Sequence, residues 1–193
     1  MSNALYKHLL QLVPQGSRVL DLGCGDGTLL HMLQQQRGCS GYGIEIDDDN
    51  VRACVDRGIN VLQLNLRHGL AQFKDQSFDV VLQINTLQVL RNAETMLAET
   101  TRVGRIGIIT FPNFAHWANR LRVARGQMPV TRHMPYEWYD TPNIRVGTYA
   151  DFTRLALKNQ LTIMDSFGLN NGQLIRLLPN ARATTAVFKL QRP

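Results

Sequence analysis

Three cysteines, Cys24, Cys39 and Cys54, are all that this 193-residue chain contains. An odd number without metal-ligand spacing argues against a disulfide scaffold and a zinc module, and fits reduced thiols in a cytoplasmic protein. Long hydrophobic runs are missing too. None reaches the roughly 18 residues of a membrane span, and the first residues lack the apolar core of a secretory signal. No membrane association and no metal are therefore expected. Acidic residues are fewer than basic ones, 15 against 21, for a net charge of +6. That permits acidic partners without requiring them. The arginines between Arg120 and Arg132 are interleaved with apolar residues, as on a solvated helix face, so nucleic acid is not the expected partner. A G-x-S-x-G elbow is absent, and none of Ser2, Ser17, Ser40, Ser77 or Ser166 stands in the context of an activated nucleophile. Acyl transfer by this chain itself is thereby argued against. Neither repeats nor low-complexity segments occur. With 44% hydrophobic and 19% charged residues, residues 1–193 read as a single globular domain.

What is present centres on Val19-Leu20-Asp21-Leu22-Gly23-Cys24-Gly25-Asp26-Gly27. The run Arg18 to Leu22 reads as a buried strand, and Thr28 to Gln36 carries Leu29, Leu30, Met32 and Leu33 at helical spacing. Between them lie Gly23, Gly25 and Gly27. Strand, glycine turn and helix open a nucleotide-binding α/β unit, in which the glycines bring backbone close to a ligand and the helix start offers free N–H groups. The turn is not a dinucleotide fingerprint, because Thr28 occupies the place of the last glycine, and it lacks the Lys-Ser/Thr pair of a P-loop. The pattern D-x-G-x-G-x-G resembles the first motif of class I S-adenosylmethionine (SAM)-dependent methyltransferases. Glu45 ends the next predicted strand, Ser40 to Glu45, about 20 residues on, where a carboxylate accepts bonds from ribose hydroxyls.

Strands and helices then alternate. A helix over Asp48 to Arg57 is capped by Asp47 or Asp48 and stopped by Gly58. Strands are expected at Ile59 to Leu64, Phe78 to Ile84 and Arg105 to Phe111, with a helix over Asn92 to Arg102. A helix over Tyr149 to Lys158 and strands over Leu161 to Phe167 and Thr184 to Leu190 close the chain. A short helix over Asn3 to Leu12 precedes the sheet. The alternation predicts a Rossmann-like fold: a mostly parallel, seven-stranded sheet with helices on both faces and ligands beyond the strand carboxyl ends. In the class I methyltransferase comparison, Asn65 stands where an Asp usually meets the adenine amino group, with the Leu66 backbone beside it. The end of the fourth strand, with Gln83, Asn85 and Thr86, falls near the methionine half. The expected cofactor residues are thus Asp21, Gly23, Cys24, Gly25, Gly27, Glu45, Asn65, Leu66 and Gln83.

Residues 112–146 break the rhythm. Asn113 is placed to cap a helix running to about Arg125, followed by a stretch of little periodicity with Tyr136, Trp138 and Tyr139. Such a segment serves as a lid or an interaction loop. Its two halves, Phe111-Pro112-Asn113-Phe114-Ala115-His116-Trp117 and Met134-Pro135-Tyr136-Glu137-Trp138-Tyr139-Asp140-Thr141-Pro142-Asn143-Ile144, resemble signatures of the bacterial methionine biosynthesis family MetW. The resemblance runs over nearly the whole chain. It implies the methyltransferase fold and work beside MetX, a homoserine O-acyltransferase that supplies its own catalytic serine. It also implies SAM or S-adenosylhomocysteine as ligand, while the departure of Asn65, Arg67 and His68 from the usual acidic stretch points to weak binding or none. The resemblance implies a partner, activator or SAM-binding regulatory subunit of MetX; the intact glycine turn with Glu45 leaves as the alternative a methyltransferase acting on a small molecule. For methyl transfer the candidate bases are His116 and His133. Trp117, Tyr136, Trp138 and Tyr139 are the candidate lid or partner residues, since aromatic side chains shelter a sulfonium or anchor an interface.

Overall fold

The computed structural model describes residues 3–131 and 133–193. Helix α1 (Asn3–Leu12) leads into strand β1 (Arg18–Leu22), helix α2 (Thr28–Arg37), strand β2 (Ser40–Glu45), helix α3 (Asp48–Asp56) and the short strand β3 (Val61–Gln63). After these come β4 (Phe78–Ile84), α4 (Ala93–Val103), β5 (Gly104–Pro112) and α5 (Trp117–Ala124). The chain ends with α6 (Tyr149–Lys158), β6 (Thr162–Asn170), β7 (Gln173–Ile175), α7 (Pro179–Arg182) and β8 (Thr185–Gln191). One sheet runs β3-β2-β1-β4-β5-β8-β6-β7. Its first five strands are parallel, and β8, β6 and β7 pair antiparallel. Chain order reverses between β1 and β4, so the loops leaving those strands diverge and open a crevice between them.

The strands are near-continuous apolar runs because both faces are covered. From β1, Leu20 and Leu22 pack with Ile44, Phe78 and Val81 on one face. Val19 packs on the other face, with Leu29, Leu30 and Leu33 of α2 and Leu5 and Leu9 of α1. The antiparallel half has its own aromatic core. Phe188 sits 4.6 Å from Phe152 and 4.7 Å from Tyr149, ring centre to ring centre, which docks α6 on the sheet. Asp47 caps α3 through the Asn50 N–H, as its place in the sequence implies.

Two expectations are revised. The sheet has eight strands, not seven. The added strand β7 forms a hairpin with β6 across Asn171 and Gly172, both in the left-handed region (φ 48° and 82°). An Asn-Gly pair is the usual two-residue hairpin signal. Secondly, α5 starts at Trp117 and is capped by His116, whose Nδ1 accepts from the Ala118 N–H. Asn113, expected as the cap, is buried and staples three segments instead. Its Nδ2 donates to the carbonyls of Asn180 and Ala183, and its Oδ1 accepts from the N–H groups of Ala115 and Tyr149. Residues 125–148 hold no helix or strand among those described, apart from an isolated bridge between Thr131 and Met134, in keeping with the little periodicity of that stretch.

Gly41 marks where β2 crowds β1. Its φ is +145°, and a Cβ there would lie 1.8 Å from the Val19 carbonyl oxygen. Gly126 also has positive φ, at +76°, but open space around it. Gly41→Ala is therefore expected to lower unfolding free energy by at least about 3 kcal/mol, and Gly126→Ala by about 1 kcal/mol. Thermal or urea unfolding of the two variants checks this; equal losses would contradict the packing account.

Candidate cofactor cleft

The crevice at the switch point is a cleft of about 510 Å³. Its floor is built by hydrogen bonds that join the ends of β1, β2 and β4. The N–H groups of Gly23 and Cys24 donate to the Ile44 carbonyl at 2.8 and 3.0 Å. The Glu45 carboxylate then gathers the loops on either side. Its Oε2 accepts from the Gly25 N–H at 2.8 Å, and its Oε1 accepts from Ile46 and Asp47 at 2.8 and 3.1 Å. From β4, the Thr86 hydroxyl donates to the Leu22 carbonyl at 2.7 Å. Gly23, with φ +76°, is required at this meeting point, because a Cβ would sit 2.9 Å from Thr86 Oγ1.

Gly23, Glu45, Asn65 and Leu66, all expected from sequence, line this cleft together. Asn65 Oδ1 accepts from the Arg67 N–H at 3.0 Å, which opens a 3-10 turn over Leu66–His68. Arg67 also lines the cleft. Ile46, Leu64 and Val89 give it partly exposed apolar walls, with Leu90 behind. Sequence reasoning passed over these walls, because single apolar residues after a strand carry no periodic signal. Asn85 and Thr86 complete the rim, and Asn85 takes the left-handed conformation (φ 54°) that asparagine tolerates.

Other expected residues lie elsewhere. Gln83 is fully buried under α4, where its Nε2 donates to Thr100 Oγ1 and to the Met96 carbonyl. It precedes the cleft residues Asn85 and Thr86 but does not line the cavity. Cys24 turns inward, its Sγ 3.8 Å from that of Cys54, and burial pushes its thiol far above the ordinary range. Gly25 enters through its N–H on Glu45, and Gly27 begins α2 with φ 72°. Asp21 supports the turn from below. It is 2% exposed, and its Oδ1 has no hydrogen-bond partner among the described residues. Burial, then the nearby Glu45 charge, pushes its carboxyl up to about 7. The Tyr6 phenol of α1, raised to about 12 by burial and by Asp21, shares this region with Asp26 and Arg57. His116 and His133 do not line the cleft. His116 is held below its usual value by burial and by His133, so its cap role is performed by the neutral ring. Among the described residues no cluster of His, Cys, Asp or Glu has the makings of a metal site.

A family model described as methionine biosynthesis protein MetW matches residues 3–190. The chain belongs to the MetW family. It is 37% identical over 200 residues to a bifunctional methionine biosynthesis protein MetXA/MetW of Rhodopirellula baltica, covering 95% of this chain and 32% of that protein. It is also 30% identical over 98 residues to a ubiquinone biosynthesis O-methyltransferase of Maricaulis maris, covering 48% of this chain and 38% of that one. The chain spans about a third of the length of the curated relatives it matches. Among solved structures, a SAM-dependent methyltransferase of Thermotoga maritima, a possible histamine N-methyltransferase, superposes with TM-score 0.73 at 16% identity, covering 98% and 88% of the two chains. A SAM-dependent methyltransferase of Mesorhizobium loti gives 0.73 at 13% identity, covering 99% of each. These likenesses establish the Rossmann-like methyltransferase fold in this MetW chain. Among the described residues, no helix is long and apolar enough to cross a membrane.

The state of Asp21 is open to direct test. Its folded-state value lies above that of an unfolded aspartate, so the folded chain keeps an extra proton between about pH 4 and pH 7. Stability therefore falls as pH rises through that window and levels off above it. In Asp21→Asn this contribution is absent. From pH 4 to pH 8 the variant should gain on the order of 2–4 kcal/mol relative to the parent chain, read by urea unfolding. A pH-independent difference would show that Asp21 is ionised throughout.

Proposed function

We propose that this MetW chain is a SAM-binding regulatory subunit of a homoserine O-acyltransferase of the MetX type. The observation that carries the cofactor half is the cleft itself: Gly23, Glu45, Asn65 and Leu66 come from three separate strand ends and face one cavity. The residues present fit SAM or S-adenosylhomocysteine. Gly23 leaves room for the methionine half, because no Cβ intrudes. Glu45 offers its carboxylate to the ribose. A carboxylate has about four acceptor positions, and three here already take backbone N–H groups. One ribose hydroxyl is thus held firmly and the second shares an occupied oxygen. Ile46, Leu64 and Val89 supply apolar surface for the adenine, and Asn65 with the Leu66 backbone reads its edge. The committed Oδ1 of Asn65 and the nearby Arg67 cation both weaken this grip relative to an aspartate. When bound, SAM brings a sulfonium-activated methyl group. The chain's own groups bind and orient the ligand and keep water from its apolar parts.

The partner half rests on the Rhodopirellula relative, which carries MetXA and MetW in one protein. Because SAM lies downstream of methionine, a SAM-reading subunit on an early acyl transfer provides feedback. Regulation then requires that SAM bind the free and partnered states with different affinity. The second reading, a small-molecule methyltransferase, is favoured by the local identity to an O-methyltransferase over half of this chain. His116 and His133 remain its candidate bases, although both stand apart from the cleft.

Calorimetry with SAM and S-adenosylhomocysteine tests the reading. Glu45→Ala is expected to weaken binding roughly 10- to 100-fold, the worth of one or two hydrogen bonds to a charged acceptor. Adding MetX should shift the SAM affinity at least about fivefold in either direction. Equal affinity with and without MetX would sink the regulatory role. Isotope-labelled methyl appearing in a small-molecule product would establish the second reading.

A further inference from the structure

Residues 112–146 present large side chains to solvent in a way the cleft does not explain. Trp138 and Tyr139 are each 71% exposed, and Trp117 is 59% exposed. Tyr136, Met128 and Val146 are exposed as well. Exposed Trp, Tyr and Met, flanked by Arg122 and Arg125, make up the composition of interface anchors rather than of an ordinary surface. The segment is not loosely hung. It folds around a small cavity of about 70 Å³ that Phe114, Met134, Tyr136 and Trp138 share with Gln88.

Gln88 belongs to the 3-10 turn Leu87–Val89, which directly follows the cleft residues Asn85 and Thr86. Its carbonyl accepts from the N–H groups of both Ile144 and Arg145 at 3.0 Å. Its side-chain Nε2 donates back to the Asn85 carbonyl at 2.8 Å. Arg145 Nη2 reaches the Arg91 carbonyl at 2.6 Å, at the far end of the same turn. The stretch 85–91 is therefore shared. One side of it, through Asn85, Thr86, Val89 and Leu90, is a wall of the cleft. The other side anchors the end of the aromatic segment.

We infer that the aromatic face of residues 117–146 is the surface on which the MetX acyltransferase docks, and that the 85–91 turn transmits cleft occupancy to it. The inference rests on the partner reading above, and the partner is chosen because a relative joins both halves in one protein. A ligand that presses on Asn85, Val89 or Leu90 moves the Gln88 carbonyl, and with it Ile144 and Arg145. Such a shared element, biased by both sites, is the physical requirement for coupling.

Two measurements separate the parts. In a Trp117→Phe background, Trp138 is the remaining tryptophan of the two. Titration with S-adenosylhomocysteine should change its emission with the same midpoint that calorimetry reports. Adding Arg145→Ala should cut the amplitude several-fold while affinity stays within about twofold. Binding with no change in Trp138 emission would overturn the coupling, and absence of binding would overturn it together with the cofactor reading. In the second measurement, purified MetX is titrated against the parent chain and against Trp138→Ala/Tyr139→Ala. Both side chains are mostly exposed, so the double variant should keep its circular dichroism and its ligand affinity, yet lose at least about tenfold in MetX affinity. Equal MetX binding by both forms would overturn the docking surface. No MetX binding by the parent chain would overturn the partner reading and the surface with it.

Discussion

The site depends on one carboxylate. Glu45 accepts backbone N–H groups from the glycine turn after β1 and from the exit of β2, and so ties two loops that a parallel sheet would otherwise leave free. Charge-assisted bonds of this kind are stronger than neutral ones, and they are made where unpaired N–H groups would otherwise face a cavity. The arrangement has a double effect. It holds the turn in the open shape that Gly23 permits, and it consumes much of the acceptor capacity that a ribose would use. Preorganisation of the turn and a reduced acceptor capacity thus come from the same bonds.

Asp21 shows how close that support lies to instability. A carboxyl sealed beneath the turn, beside a second carboxylate, is easiest to keep in its neutral form. Any cationic ligand entering above it would change that balance. The neighbouring Tyr6 belongs to α1, so the first helix is drawn into the electrostatics of the cleft although it contributes no strand.

The rest of the molecule divides into a scaffold and an attachment. Both faces of the parallel strands are covered, and the Phe188 cluster anchors the antiparallel end. These parts look inward and are complete. The segment after β5 looks outward, and its contacts to the body run through Asn113 at one end and the Gln88 turn at the other. A methyltransferase fold whose atypical segment is fastened to the rim of its own cleft is well suited to reporting what the cleft holds, whether or not a methyl group moves.

The sequence by itself determined the parallel order of elements, the glycine turn, Glu45 as the acid at the end of β2, and Asn65 with Leu66 as the residues past the next strand end. These follow from local demands: apolar runs that must be covered on both faces, backbone that needs positive φ, and strand ends that share one edge of a sheet. Tertiary structure alone decided the remainder. Gln83 is taken up beneath α4, whereas Asn85, two residues on, stands past the end of β4 in the left-handed conformation and so reaches the cleft rim. Cys24 turns to Cys54, and Asn113 leaves its expected cap, because partners distant in sequence were there to receive them. The Asn171-Gly172 hairpin was legible as a turn, yet its strand is only three residues long and gains its place from β6. The tie between Gln88 and Arg145 joins residues more than fifty positions apart through a backbone carbonyl, a group that no side-chain pattern reveals.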